Sequence, residues 1–153
     1  MSDALILGVA RLGIAGKSKI MPGTCGSLVA VFLAPFIFIP LPLFGRVLAL
    51  LVLLLAGVPV CTRAEALLGR KDPPEVVLDE LFGQWLTLLP CADPSTADYC
   101  AAFILFRVFD MAKPRPIPRL EALGGGLGIM LDDAAAGVYA MLCLFLVKQI
   151  GLL

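Results

Sequence analysis

Three separated acidic clusters stand in an otherwise very apolar chain, each with glycine or proline nearby: Val77-Leu-Asp-Glu80, Arg107-Val-Phe-Asp110 and Leu131-Asp-Asp133. Ionised carboxylates are costly near lipid, so their presence points to chemistry or metal binding. Carboxylate, backbone and water oxygens suit a hard cation such as Mg²⁺, which takes one or two protein carboxylates and leaves positions for water and phosphate oxygens. Phosphoryl transfer or hydrolysis is the matching reaction, because a metal can supply a nucleophilic water and stabilise developing charge without histidine. Arg107 and Lys113 lie three residues to either side of Asp110, and each could clamp a phosphate. The same spacing also allows a plain ion pair with Asp110 and ordinary positive charges at a membrane border.

What is missing narrows the chemistry further. Histidine is absent, which removes the Ser-His-Asp triad and every phosphohistidine mechanism. Cys100 and Arg107 are one residue too far apart for the C-x5-R loop of cysteine phosphatases, and no D-x-D-x-T motif occurs. Gly16-Lys-Ser18 fails as the end of a P-loop, since Arg11 stands where its first glycine belongs. Gly124-Gly-Gly-Leu-Gly128 misses the dinucleotide fingerprint because position 129 is Ile. The 5 cysteines are scattered without a C-x-x-C pair, so neither a disulfide framework nor a zinc ribbon follows. With 12 basic and 12 acidic residues the net charge is zero, and no polycationic footprint for nucleic acid exists.

The elements that must position these carboxylates are those of a membrane protein. Hydrophobic residues make up 60% of the 153 and charged residues 16%, and mean hydropathy is +0.99. A soluble domain of this size cannot bury that surplus. The length fits one domain, residues 1–153. Asp3 and the lack of an early basic cluster argue against a cleaved signal peptide. Apolar stretches at about Leu28–Phe44, Val47–Cys61, Leu81–Cys91, Ala101–Phe109 and Ile129–Val147 predict an all-α, polytopic bundle of about five membrane-associated helices, some short or kinked. Ala4–Ile14 could add an interfacial or re-entrant helix.

Charge orients the bundle. Arg11, Lys17 and Lys19, then Arg63, Arg70 and Lys71, then Lys113, Arg115 and Arg119 mark three cytoplasmic loops by the positive-inside rule. The links at Phe44–Arg46 and Ala92–Asp98 face the other way. All five carboxylates then fall at cytoplasmic helix ends. Two stripes at helical spacing accompany them: Glu80, Gly83, Gln84 and Thr87, and Asp133, Ala136, Gly137 and Ala140. Such stripes serve close helix packing, with or without forming a site wall.

Four motifs in order carry a resemblance: Met21-Pro-Gly-Thr-Cys-Gly-Ser27, Val77-Leu-Asp-Glu-Leu-Phe-Gly-Gln84, Phe106-Arg-Val-Phe-Asp110 running into Lys113-Pro-Arg-Pro-Ile117, and Gly125-Gly-Leu-Gly-Ile-Met-Leu-Asp-Asp133 with Ala136-Gly137. Over about residues 8 to 147 the chain resembles the phosphatidylglycerophosphatase A family. That resemblance implies a bacterial inner-membrane, Mg²⁺-dependent phosphatase that removes the terminal phosphate of phosphatidylglycerophosphate at the cytoplasmic face. It implies Asp79 and Glu80 first, and Asp132 and Asp133 next, as metal ligands, with Asp110 either completing the shell or acting as general base. Thr24, Gly26 and Ser27 would form a phosphate-binding turn, or Thr24 and Ser27 would simply cap a helix. Met21 and Arg115 depart from the family's usual residues and bear on substrate preference. A small transporter or a structural membrane subunit with intramembrane carboxylates is the alternative class. Oligomeric state is open.

Overall fold

Helix limits in this chain are set by a few polar caps and by its prolines and glycines. The computed structural model describes residues 2–152, and the regular elements among them are all helical. Ser2 caps α1 (Asp3–Ala10) by accepting from the Leu5 N–H. A 3₁₀ turn at Ala15–Lys17 leads to α2 (Pro22–Leu33), with Pro22 near the helix start, where the missing N–H costs nothing. α2 passes into a π turn, Ala34–Phe38, at Pro35. α3 (Leu43–Leu68) ends on Gly69 in the left-handed conformation that glycine adopts freely. There follow α4 (Leu78–Thr87), α5 (Thr96–Ala112), opened by a Ser95/Asp98 capping box, α6 (Ile117–Glu121) and α7 (Gly125–Gln149).

Among the described residues two helices are long and apolar enough to cross a membrane, α3 and α7. At about 1.5 Å per residue they run roughly 39 and 37 Å, past the ~30 Å of a hydrocarbon core. α3 turns Phe44, Leu51 and Leu55 outward, which suits lipid and no aqueous solvent. The other apolar stretches differ from expectation in an informative way. The one read at Leu81–Cys91 forms α4, whose 10 residues are buried at nearly every position, so its hydrophobicity serves the protein interior. The one read at Ala101–Phe109 extends to the 17 residues of α5, and Ala4–Ile14 yields α1. The link placed at Phe44–Arg46 lies inside α3; the actual connection is residues 39–42.

α2, α3, α4, α5 and α7 alternate in direction, so the three basic loops, residues 11–21, 69–77 and 113–124, gather at one end. Val77 N–H donates to the Ala10 carbonyl and Gly126 N–H to the Thr62 hydroxyl, tying these loops and helix ends together. The opposite end is fastened by Arg46. Its buried guanidinium donates to the carbonyls of Ile39 (2.6 Å), Leu41 (2.9 Å) and Leu89 (3.4 Å), and also to that of Cys91. Arg46 is thus a joint between two turns. Arg46→Leu is expected to lower stability by ~2–3 kcal/mol, because buried carbonyls lose their donor. A thermal melt in detergent checks this, and turnover at low temperature should survive since the acidic clusters lie at the other end.

Candidate active site

The site is assembled by a close approach of α4 and α7 that only small residues permit. A Cβ on Gly83 would run into the Phe106 ring and sit 2.8 Å from the Asp133 carbonyl, and one on Gly137 would sit 2.6 Å from the Gly83 carbonyl. Thr87 seals the same contact, its hydroxyl lying 2.9 Å from the Gly83 carbonyl and 3.4 Å from that of Gly137. The two small-residue stripes therefore face each other, and packing them places one site wall against another. Asp79 and Glu80 occupy the first turn of α4, where the helix dipole favours acids, and Asp133 arrives from α7.

One ligand oxygen from each of Asp79, Glu80 and Asp133 can be chosen so that all lie within 4.8 Å of one another. The three side chains are buried, and each keeps an oxygen without a hydrogen-bond partner: Asp79 Oδ1, Glu80 Oε2 and Asp133 Oδ2. Three desolvated carboxylates this close repel one another, and Arg107 at 3.9 Å from Glu80 offsets only part of that, an arrangement that is costly unless a further cation joins them. An all-oxygen donor set fits a hard divalent ion. The residues present thus match the group that the sequence implies.

These carboxylates open into a cavity of about 300 Å³, lined also by Asp72, Asp110, Asp132, Arg107, Lys113 and the start of α2 at Met21–Gly23. Arg107 lies within it, with Nη1 2.9 Å from Asp110, 3.9 Å from Glu80 and 3.4 Å from the Ser27 hydroxyl, while its Nε is buried without a partner. Lys113, at the end of α5, donates to Asp132 at 3.0 Å and Glu121 at 2.9 Å. Partial burial disfavours its charge, yet these two carboxylates outweigh that and hold the ammonium above its ordinary pKa. Asp132 is thereby engaged by Lys113 and by the Asp133 N–H, on the cavity wall beside the buried trio.

The segment expected as a turn, Pro22–Ser27, is instead the start of helix α2, and its helical rotation separates these residues. Gly23 lines the cavity, and a Cβ there would run into Glu80 and come 3.3 Å from Arg107. Ser27 donates to the Gly23 carbonyl at 3.1 Å and faces Arg107. Gly26 instead packs on Val77, 2.8 Å from where its Cβ would be, and the Thr24 hydroxyl is buried without a partner, away from the cavity lining. Neither hydroxyl caps α2, whose N-cap is Met21 in a left-handed conformation. Sequence reasoning missed Asp72 and Glu121, whereas Gly23 lies in the Pro22-Gly-Thr24 segment that it placed beside the site. Asp72 was legible as an acid seven residues before Asp79 beside two prolines; burial raises its pKa, with Lys113 pulling the other way.

Comparison with known proteins shows the family. A family model described as phosphatidylglycerophosphatase A matches residues 8–148. The phosphatidylglycerophosphatase A of Escherichia coli (strain K12) is 38% identical over 125 residues, covering 80% of this chain and 72% of the relative. That of Haemophilus influenzae is 36% identical over 131 residues, with 83% and 78% covered. A Bacteroides thetaiotaomicron protein, provisionally described as a phosphatidylinositol-3-phosphatase, is 36% identical over 141 residues, with 88% of each chain covered. No solved structure matches the chain. With a family model spanning nearly its whole length and these relatives beside it, the chain belongs to the phosphatidylglycerophosphatase A family.

Proposed function

We propose that this chain, as one domain over residues 1–153, is a Mg²⁺-dependent phosphatidylglycerophosphatase of the bacterial inner membrane. It hydrolyses the terminal phosphomonoester of phosphatidylglycerophosphate to phosphatidylglycerol and phosphate. Family membership supports the reaction. The observation that carries the site is the buried trio of Asp79, Glu80 and Asp133 with an unpartnered oxygen on each, beside Arg107. Two span-length helices support a membrane protein, and a multi-pass bundle with its basic loops at the cavity end supports a cytoplasmic site.

In this reading Asp79, Glu80 and Asp133 would hold the metal, with Asp132 as a neighbouring carboxylate held by Lys113. Bound Mg²⁺ would supply Lewis-acid stabilisation of charge on the phosphoryl oxygens. Arg107 and Lys113 bind the phosphate dianion, Arg107 through its fork of donors, and Gly23 leaves room for it. Ser27 orients Arg107; Thr24 and Gly26 pack the start of α2 from behind. As the oxygen of the attacking water bonds to phosphorus, Asp110 takes its proton; the phosphorus–oxygen bond to the glycerol breaks, and Asp110 returns that proton to the leaving oxygen, which departs as a hydroxyl.

Arg107→Ala is expected to reduce kcat/KM by on the order of 10²-fold, the cost of losing a positioned donor to developing charge. Arg107→Lys should recover only part of this, because a lysine cannot serve Glu80, Asp110 and phosphate together. Steady-state phosphate release checks both variants. The activity itself is tested by phosphate release from phosphatidylglycerophosphate in detergent micelles with Mg²⁺ or EDTA, with phosphatidylinositol 3-phosphate run alongside. Mg²⁺-dependent release from the first substrate is expected. Preferential release from the second would replace the substrate and keep the chemistry, whereas undiminished release in EDTA would remove the metal.

A further inference from the structure

We propose that the apolar groove between α2 and α5 is an acyl-chain subsite for the lipid whose phosphate occupies the cavity; this rests on the lipid phosphatase reading above. Leu28, Val31 and Phe32 of α2 face Tyr99, Cys100 and Phe103 of α5 across a space of about 420 Å³. No charged side chain lines it. Phe32 is 70% exposed and Leu28 52%, so the groove is open along its outer side, where a membrane would be.

Its position relative to the cavity determines what fits. On α2, Gly23 lines the cavity and Val31 the groove, two turns apart on one face, with Ser27 between them holding Arg107. On α5, Cys100 and Phe103 lead to Arg107 at i+7 and i+4. Phe103 to Arg107 is about 6 Å along the helix axis. The groove and the phosphate cavity are thus two stations on one seam, apolar at one end and charged at the other. α2 leaves this seam open because it packs inward on α4 instead, where Trp85 Nε1 donates to the Ala30 carbonyl at 3.0 Å.

A phospholipid monoester has the same polarity in one molecule. With its phosphate at Gly23 and Arg107, its chains must leave the cavity, and the α2–α5 seam offers an uncharged path toward lipid. Binding energy from chains lying there would hold the glycerol so that the terminal phosphate stays in the cavity.

The test compares Val31→Trp and Cys100→Trp, which fill the groove, with Ile104→Trp, which adds the same bulk at an exposed α5 position outside the groove lining. Each is assayed in full-length protein on dioleoyl phosphatidylglycerophosphate in micelles and on its acyl-free head group in solution. The expected result is that the ratio of long-chain to head-group kcat/KM falls about tenfold or more in both groove variants, a loss typical of an obstructed apolar pocket, and stays within twofold of wild type in Ile104→Trp. An unchanged ratio in the groove variants, or an equal fall in all three, would overturn the subsite and leave only bulk lipid covering this face. If either groove variant does not fold, Phe103→Ala, which enlarges the space, must shift the ratio for the same reason. Wild-type protein that hydrolyses neither substrate would sink the underlying reaction; intact lipid turnover with an unmoved ratio would sink the subsite alone.

Discussion

Asp133→Asn should abolish turnover, by about 10³-fold or more, while the bundle stays folded. The substitution keeps the shape of a buried side chain that lies against Asp79 and Glu80 and removes one of three charges within 4.8 Å. Metal-assisted stabilisation of a transferring phosphoryl group is worth several kcal/mol, and about 1.4 kcal/mol corresponds to tenfold in rate. Without metal, folding should tolerate the change or gain from it, since like charges buried together oppose the folded state. Asp79→Asn should behave in the same way. Asp132→Asn is the informative contrast. Its carboxylate is engaged by Lys113 and the Asp133 N–H, so a loss of only about 10- to 100-fold is expected, the range for a group that orients a ligand. Phosphate release beside a thermal melt separates these cases. Near-wild-type activity in Asp133→Asn would remove it from the site.

Gly137→Leu should destabilise the protein by about 3 kcal/mol or more, at or above the upper end for overpacking. Most overpacked sites relax through a side chain, but here the obstruction is the Gly83 backbone carbonyl at 2.6 Å from the new Cβ. That carbonyl is itself held by the Thr87 hydroxyl at 2.9 Å. α4 and α7 must therefore separate. Asp133 is one turn from Gly137 on the same face, so whatever fraction folds should also lose activity as the carboxylates part. Gly8→Ala provides the control: nothing lies within 4 Å of its Cβ position in α1, and alanine there should be neutral or stabilising by ~0.5–1 kcal/mol. Melting curves of the two variants, with residual turnover, check both expectations.

The carboxylates were legible from sequence because charge is conspicuous in a chain that is 60% hydrophobic. The same contrast made the positive loops visible, and their clustering at the cavity end follows from helices that alternate in direction. Helical spacing also identified the glycine stripes. Other features depended on tertiary packing, which periodicity does not encode. Leu81–Cys91 read like a membrane stretch, yet α4 is apolar because it is surrounded by α2, α3, α5 and α7. The apolar stretch read at Val47–Cys61 is shorter than the helix that contains it, since α3 continues to Leu68 with Pro59 inside it. Asp132 and Asp133 are adjacent and chemically identical, and only the rotation of α7 sends one to Lys113 and the other to the trio. Arg46 looked like a loop charge until the carbonyls of Ile39, Leu41, Leu89 and Cys91 were brought around it.

The claim on which the account depends is that Asp79, Glu80 and Asp133 together hold the divalent ion. A Mg²⁺ titration of thermal stability in detergent tests it without reference to turnover, since an ion that binds only the folded state stabilises it by about 2.7 kcal/mol at a hundred times its Kd. Wild-type protein should show a saturable rise in Tm with Mg²⁺, reversed by EDTA, and the triple variant Asp79→Asn, Glu80→Gln, Asp133→Asn should show none while remaining folded. The same rise in the triple variant would place the ion elsewhere and contradict the account.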